Sequence, residues 1–399
     1  MLGLPPYDGS IISAVRHLFL FLGLAYPVII GIMIAPPIQR QFVYQHNLAP
    51  FPLFAKFDMP EKYSLAPGKT ANLYLSTPDN VTLGAWFVLS DPYHQQLRRA
   101  STGLVGPPSV DIIQEAISRR PTILFLHGAA ATRAVEWRVK TYLGFTSRLQ
   151  VNVLAPDYRG FGDSTGSPDN DGLVLDAYTS WNWLIDNGAK PEDILIVGHS
   201  LGTGVSGQLA KQLAAEGVRP RGVVLLAPFT SVSKLLETYA IFGVPILQPL
   251  QTFPLGIKLM KRFLRHEFDT LSTIQEFNSP TLIAHSQDDF DIPHSHSRTL
   301  IDKLLEPFLP EQGVELPSAP GSSLSSEDFA AFTKAQEERR VARSALVRKT
   351  EIPNFGVVEE FEGKNASKVV YVESFWGSHA KVGTQEGIQD EIGKLFDLL

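Results

Sequence analysis

Gly198-His199-Ser200-Leu201-Gly202 stands directly behind the apolar run Ile194-Leu195-Ile196-Val197. A strand that enters a helix through G-x-S-x-G puts its serine on a crowded, strained turn, where only residues without bulk can stand on either side. The serine oxygen is lifted clear of the sheet edge, and the N–H of Leu201 opens the helix, where it can hold an oxyanion. A hydroxyl is a weak nucleophile until an imidazole takes its proton, and the imidazole needs a carboxylate to fix its tautomer. In this architecture the three follow the order serine, acid, histidine. After Ser200, the strand-like Thr281-Leu282-Ile283-Ala284-His285 leads to Asp288, Asp289 and Asp291, each placed where an acid belongs. The strand-like Lys368-Val369-Val370-Tyr371-Val372 and the helix-like residues 385–398 flank His379, the candidate base. The chemistry expected of this set is acyl transfer through a covalent serine intermediate.

A second oxyanion donor should follow an earlier strand. Pro121-Thr122-Ile123-Leu124-Phe125-Leu126 is a buried-strand pattern, and His127-Gly128-Ala129-Ala130-Ala131 comes after it. The N–H of Ala129 is the candidate, with Ala130 as the alternative and His127 as a brace for the loop. His285, His294 and His296 precede the last strand and so break the order; packing or surface roles suit them better. No matching ligand set stands elsewhere, so no metal site is expected. The glycines of residues 158–166 do not complete G-x-G-x-x-G and no helix opens at once, so a structural turn is expected there and no cofactor.

Strand-like and helix-like segments alternate from Thr122 onward, the pattern of a mostly parallel central sheet with helices on both faces. A hairpin precedes it, turning at Pro78-Asp79-Asn80 between Leu73–Leu75 and Thr82–Val88. One catalytic domain over residues 51–399 fits the length. Within it, residues 229–278 form an apolar insertion, with Phe242 and Leu247 among its members, that reads as a lipid-binding cap. Residues 308–350, rich first in Pro, Ser and Gly and then in charge, read as an inserted, partly disordered loop with a solvated surface. Ahead of the domain, residues 1–17 form a leader and residues 18–38 contain no charge. At about 1.5 Å per residue the latter run spans roughly 31 Å, close to a bilayer core, and reads as one uncleaved transmembrane helix. Pro36 and Pro37 mark its exit. Arg16 and Arg40 flank it, so positive charge does not set its orientation. Two glycosylation triplets, Asn80-Val81-Thr82 and Asn365-Ala366-Ser367, fall at expected turns. The net charge of −6, with signs mixed, gives no support for nucleic-acid binding, and the absence of cysteine excludes disulfides and thiolate catalysis.

On these motifs the chain resembles the alpha/beta-hydrolase fold. Within that fold it is similar to the abhydrolase domain-containing protein 12 family of membrane-bound lysophosphatidylserine and monoacylglycerol lipases. The likeness is carried by Asn72–Leu75, Val81–Trp86, Leu126-His127-Gly128 with Thr132-Arg133, Asp157–Ser164 and Gly198–Gly204. It covers most of residues 51–291 and resumes at the terminal histidine. The resemblance implies Asp289, four residues before Pro293, as the acid of a Ser200–Asp289–His379 triad. It further implies a lipid ester substrate, membrane attachment and a catalytic domain facing the lumen of the endoplasmic reticulum. Families that remove acyl groups from protein thioesters share many of these residues, so a depalmitoylase is the alternative. A non-catalytic scaffold is opposed by the complete triad. The chain departs from the resemblance in the long segment between acid and base and in the apolar loop Ala129-Ala130-Ala131.

Overall fold

The computed structural model describes residues 13–18, 20–21, 28, 31–32, 34–47, 54–100, 106–238, 254–311 and 325–398. Among them, ten strands make one sheet: β1 (Thr70–Ser76), β2 (Thr82–Val88), β3 (Thr122–Leu126), β4 (Asn152–Pro156), β5 (Ile194–His199), β6 (Gly222–Leu226), β7 (Thr281–Ser286), β8 (Arg348–Ile352), β9 (Gly356–Glu362) and β10 (Lys368–Ser374). Their spatial order is β1-β2-β4-β3-β5-β6-β7-β10-β9-β8. The six central strands, β4 to β10, pair in parallel. An antiparallel hairpin closes each edge, β1–β2 beside β4 and β8–β9 beside β10.

Every residue of β3, β4, β5 and β6 is buried, as strands covered on both faces require. The helices that bear on the site are α1 (Pro36–Tyr44), α2 (Glu136–Ser147), α3 (Asn170–Asp186), α4 (Leu201–Ala215), α5 (Val232–Thr238), α6 (Pro254–Arg262), α7 (Ser326–Leu346) and α8 (Glu386–Leu395). Side chains alternate between the faces of a strand, so each strand serves two cores. Ile123, Phe125, Leu195 and Val197 meet Tyr142 and Phe145 of α2 and Ile388 and Ile392 of α8. Leu124, Leu126, Ile194 and Ile196 meet Leu173 and Trp181 of α3 and Val205 and Leu209 of α4. The expected α/β architecture is therefore present, with the first hairpin where its turn residues put it.

Three expected segments fall partly or wholly outside the described residues. Much of the 18–38 run is among them, and no helix among the described residues is long and apolar enough to cross a membrane. The middle of the 229–278 insertion, Phe242 and Leu247 included, also lies outside; its described flanks form α5 and α6. Of the 308–350 stretch, residues 312–324 lie outside, while the rest contains α7 and the edge strand β8. Helix α7 buries none of its residues and is tied to the body by Arg339 with Glu306 and by Arg343 with Asp302. Its charged face is solvated, as its composition led one to expect.

Candidate active site

Open parallel sheets place their sites beyond the carboxyl ends of the strands. Here β3 leads to Ala129, β5 to Ser200, β7 to Asp289 and β10 to His379. Ser200 has φ 52° and ψ −120° and stands between β5 and the first turn of α4. For a residue with a side chain, such a backbone costs about 1–3 kcal/mol and persists only where the surroundings dictate it. Its two glycines are dictated by space. A Cβ on Gly198 would lie 2.4 Å from the carbonyl oxygen of Gly202, and one on Gly202 would lie 1.9 Å from that of Leu126. Backbone bonds from Ser200 N–H to Leu226 O (3.0 Å) and from Thr203 N–H to Ser200 O (2.9 Å) hold the turn.

The structure brings the three expected side chains together. Ser200 Oγ lies 2.8 Å from His379 Nε2, and His379 Nδ1 lies 2.7 Å from Asp289 Oδ2. A carboxylate only accepts, so Nδ1 carries the proton and the Nε2 lone pair faces the serine hydroxyl. Burial works against a charged imidazole, but the adjacent Asp289 carboxylate outweighs it and raises the His379 pKa above its ordinary 6.5. Burial likewise works against the Asp289 carboxylate. The charge on His379 and hydrogen bonds from His285 and His379 nevertheless hold its pKa far below the usual range. Asp289 Oδ1 also accepts from the N–H groups of Asp291 (3.0 Å) and Ile292 (2.9 Å).

The other two aspartates do different work. Asp288 Oδ1 accepts from the N–H of Ser378 (2.7 Å), fixing the loop that presents His379. Asp291 contributes through its backbone to Asp289. His285, read from sequence as a packing residue, reaches the acid. Its Nε2 is 3.1 Å from Asp289 Oδ2 and 3.0 Å from the carbonyl of Ile292, while its Nδ1 is 2.7 Å from Ser297 Oγ. A carbonyl can only accept, so Nε2 is the protonated nitrogen. His199, the variable residue of G-x-S-x-G, donates from Nε2 to the carbonyl of His379 (2.8 Å). Burial and the neighbouring His379 push its pKa down to about 3, which keeps it neutral beside the base. His296 is bound to Thr230 and Thr238, away from the triad.

The loop after β3 is held open from behind. Nη2 of the buried Arg138 donates to the carbonyls of Gly128 (2.9 Å), Ala129 (3.1 Å) and Ala130 (2.9 Å). Ala130 and Ala131 both have φ above 50°, an expensive backbone for alanine that this clamp offsets. The N–H of Ala130 is donated to the carbonyl of Tyr44 at the end of α1 (2.9 Å), so the alternative donor is already engaged. Ala129 instead lines the cleft together with Ser200 and Leu201. Leu201 is the first residue of α4, and its N–H has no carbonyl one turn back within the helix. Replacing Arg138 with Met keeps most of the volume and removes the donors. We expect kcat to fall roughly 10²-fold as the loop shifts, with KM changing little; steady-state kinetics on a short-chain ester would show the split.

The turn after β4 has the structural role expected of it. Arg133 is buried and pairs with Asp157 (2.6 Å) and Asp163 (2.7 Å), and Arg159 pairs with Asp79 and Asp176. Tyr158 donates to the carbonyl of His127 (3.1 Å), and the His127 ring packs against Tyr158 and Phe161. His127 braces the loop. In front of Ser200 opens an apolar cleft, walled by Phe42 and Val43 of α1 and by Phe229, Val232 and Leu235.

The chain is similar to several known proteins. The model of the alpha/beta hydrolase family matches residues 123–362. The lysophosphatidylserine lipase ABHD12 of Xenopus tropicalis is 31% identical over 70% of this chain and 69% of its own length. The protein of the same name from Danio rerio is 28% identical over 72% of each chain. Among solved structures, an alpha-beta hydrolase from Vibrio vulnificus covers 83% of this chain and 82% of its own, at 16% identity and a TM-score of 0.46.

Proposed function

The chain belongs to the alpha/beta hydrolase family, and from that premise we propose that it is a membrane-anchored serine hydrolase that cleaves lipid carboxylic esters, lysophospholipids or monoacylglycerols, through an acyl-enzyme. One observation carries the reading: a hydrogen-bonded Ser200–His379–Asp289 chain at the floor of an apolar cleft. Ser200 Oγ attacks the ester carbonyl as His379 Nε2 takes its proton, and Asp289 stabilises the imidazolium. The N–H groups of Leu201 and Ala129 hold the oxyanion. Collapse of the tetrahedral species breaks the ester C–O bond, and His379 returns the proton to the departing alcohol. Water then attacks the acyl-serine with His379 again as base, releasing the fatty acid and restoring the hydroxyl. No metal or cofactor enters this scheme.

The substrate class is supported by the apolar cleft wall and by relatives named as lysophosphatidylserine lipases. Turnover of lysophosphatidylserine, monoacylglycerol and an S-palmitoylated peptide by the purified full chain tests it. Preferential hydrolysis of the thioester would favour the depalmitoylase instead.

Anchoring through residues 18–38, with the catalytic domain in the lumen of the endoplasmic reticulum, completes the proposal. The uncharged run supports the anchor, and the glycosylation triplets support the side. Asn80 and Asn365 are both exposed, at turns with φ 62° and 59°. Expressed in a eukaryotic cell, the protein should shift in mobility on endoglycosidase treatment, and replacing both asparagines with Gln should abolish the shift. An unshifted wild type would weaken the lumenal placement and strengthen the depalmitoylase alternative, which would act on the cytosolic side.

A further inference from the structure

Helix α1 begins at the end of the uncharged 18–38 run, and it is fastened to the catalytic body at several points. Gln39, at its centre, is 6% exposed. Its Nε2 donates to the carbonyls of Ile34 and Phe263 (both 2.9 Å), and its Oε1 accepts from the N–H of Arg265 (3.1 Å). Tyr44, at its end, bonds His266 through its hydroxyl (3.1 Å) and the oxyanion loop through its carbonyl. An anchor that served only to tether would not need a buried, fully engaged amide. This helix is built into the site.

What it builds is a second chamber. Next to the cleft at Ser200 lies another, smaller apolar pocket, lined by Ile34, Ile38, Gln39, Met260 and Leu264. Phe42, Val43, Val232 and Leu236 line both pockets, so the two are neighbours. The lining of the far chamber is apolar except for Gln39, whose amide atoms are already paired, so little holds water there. At its outer rim Ile38 is 43% exposed, and Leu255, Leu259 and Phe263 of the neighbouring α6 region are exposed as well. The linings next to Ser200 and beyond it are thus mostly apolar, as the tail of a long-chain ester requires.

Resting on the lipid-ester reading above, we infer that the acyl chain of the substrate runs from Ser200 along α1, past Val43, into the chamber at Ile38 and Met260. The exit helix of the N-terminal segment is then one wall of the acyl site and helps set chain-length preference.

Two positions on α1, the half-buried Val43 and the exposed Ile38, test this without opening the core. Val43→Trp narrows the junction, and Ile38→Trp fills the far chamber. The full chain, in phosphatidylcholine vesicles, would be assayed on a series of monoacylglycerols from octanoyl to oleoyl. With Ile38→Trp the ratio of oleoyl to octanoyl turnover should fall at least tenfold. With Val43→Trp the loss should begin at shorter chains. An equal change at every chain length, or none, in both variants would overturn the acyl path while leaving the hydrolase intact. A wild type inert on this series and on the matching series of lysophosphatidylserines would overturn the lipid-ester reading and the path with it.

Discussion

Ser200→Ala should abolish labelling by a fluorophosphonate probe and lower ester turnover roughly 10⁶-fold, the scale of loss when the nucleophile leaves a triad that acts as a unit. The variant should fold. The groups that hold the turn are backbone atoms or belong to other residues, namely the Ser200 N–H to Leu226 and the Ser200 carbonyl with Thr203 N–H and Oγ1. Alanine keeps the same Cβ, so the close contacts that force glycine at 198 and 202 do not change. The melting temperature should stay within a few degrees of wild type, given that a change of 1 kcal/mol moves it by about 2–4 °C in a domain of this size. Circular dichroism and probe labelling on the same sample separate the two effects. Undiminished labelling of the variant would remove Ser200 from the mechanism, and with it the functional reading built on the geometry.

The residues that made the site legible are those whose roles follow from order along the chain. Apolar runs announce β3, β5, β7 and β10, because strands covered on both faces tolerate little else. The groups at their ends, Ser200, Asp289 and His379, could then be found by position. The supporting residues follow no such rule. Arg138 and His199 work by donating to backbone carbonyls, and any residue has a carbonyl, so no partner pattern marks them. Tyr44 acts through its own carbonyl and could not be recognised from its side chain. Ala130 adopts a left-handed backbone angle that its type argues against, because Arg138 and Tyr44 hold its carbonyl and its N–H.

The second edge hairpin was hidden for a different reason. Strand β8 reads Arg348-Lys349-Thr350-Glu351-Ile352, and four of its five residues are exposed. It has no apolar face to betray a period of two. Its register against β9 sets Arg348 opposite Glu360 and Lys349 opposite Glu359. Opposite charges across the pair, with lysine and arginine on an outer strand, stabilise the pairing and discourage a further strand from adding. In sequence the same charges look like the continuation of the solvated helix α7.

The second large effect is expected at the acid. In Asp289→Asn, the amide oxygen will take the place of Oδ1, because the N–H groups of Asp291 and Ile292 both donate there. The amide NH2 must then stand where Oδ2 stood, facing His379 Nδ1 and His285 Nε2. His285 cannot adapt, since its Nε2–H is also held by the carbonyl of Ile292. His379 can: it will accept from the amide at Nδ1 and carry its proton on Nε2. That proton points at Ser200, and the base is lost. A wrong tautomer of this kind lowers kcat by roughly 10⁴-fold in a serine triad. The pH profile should move as well. In the wild type the carboxylate raises the His379 pKa above 6.5, so the neutral, working base is lost as pH falls through that raised value. With the charge gone and burial unopposed, the imidazole should titrate lower, and the acid limb of kcat/KM for the residual activity should shift to lower pH. The rate loss alone could come from a collapsed site. A loss of this size together with a downward shift of the acid limb requires that Asp289 act on His379 through both its charge and its hydrogen bond, and an unchanged limb would mean that another carboxylate, Asp288 or Asp291, carries the charge.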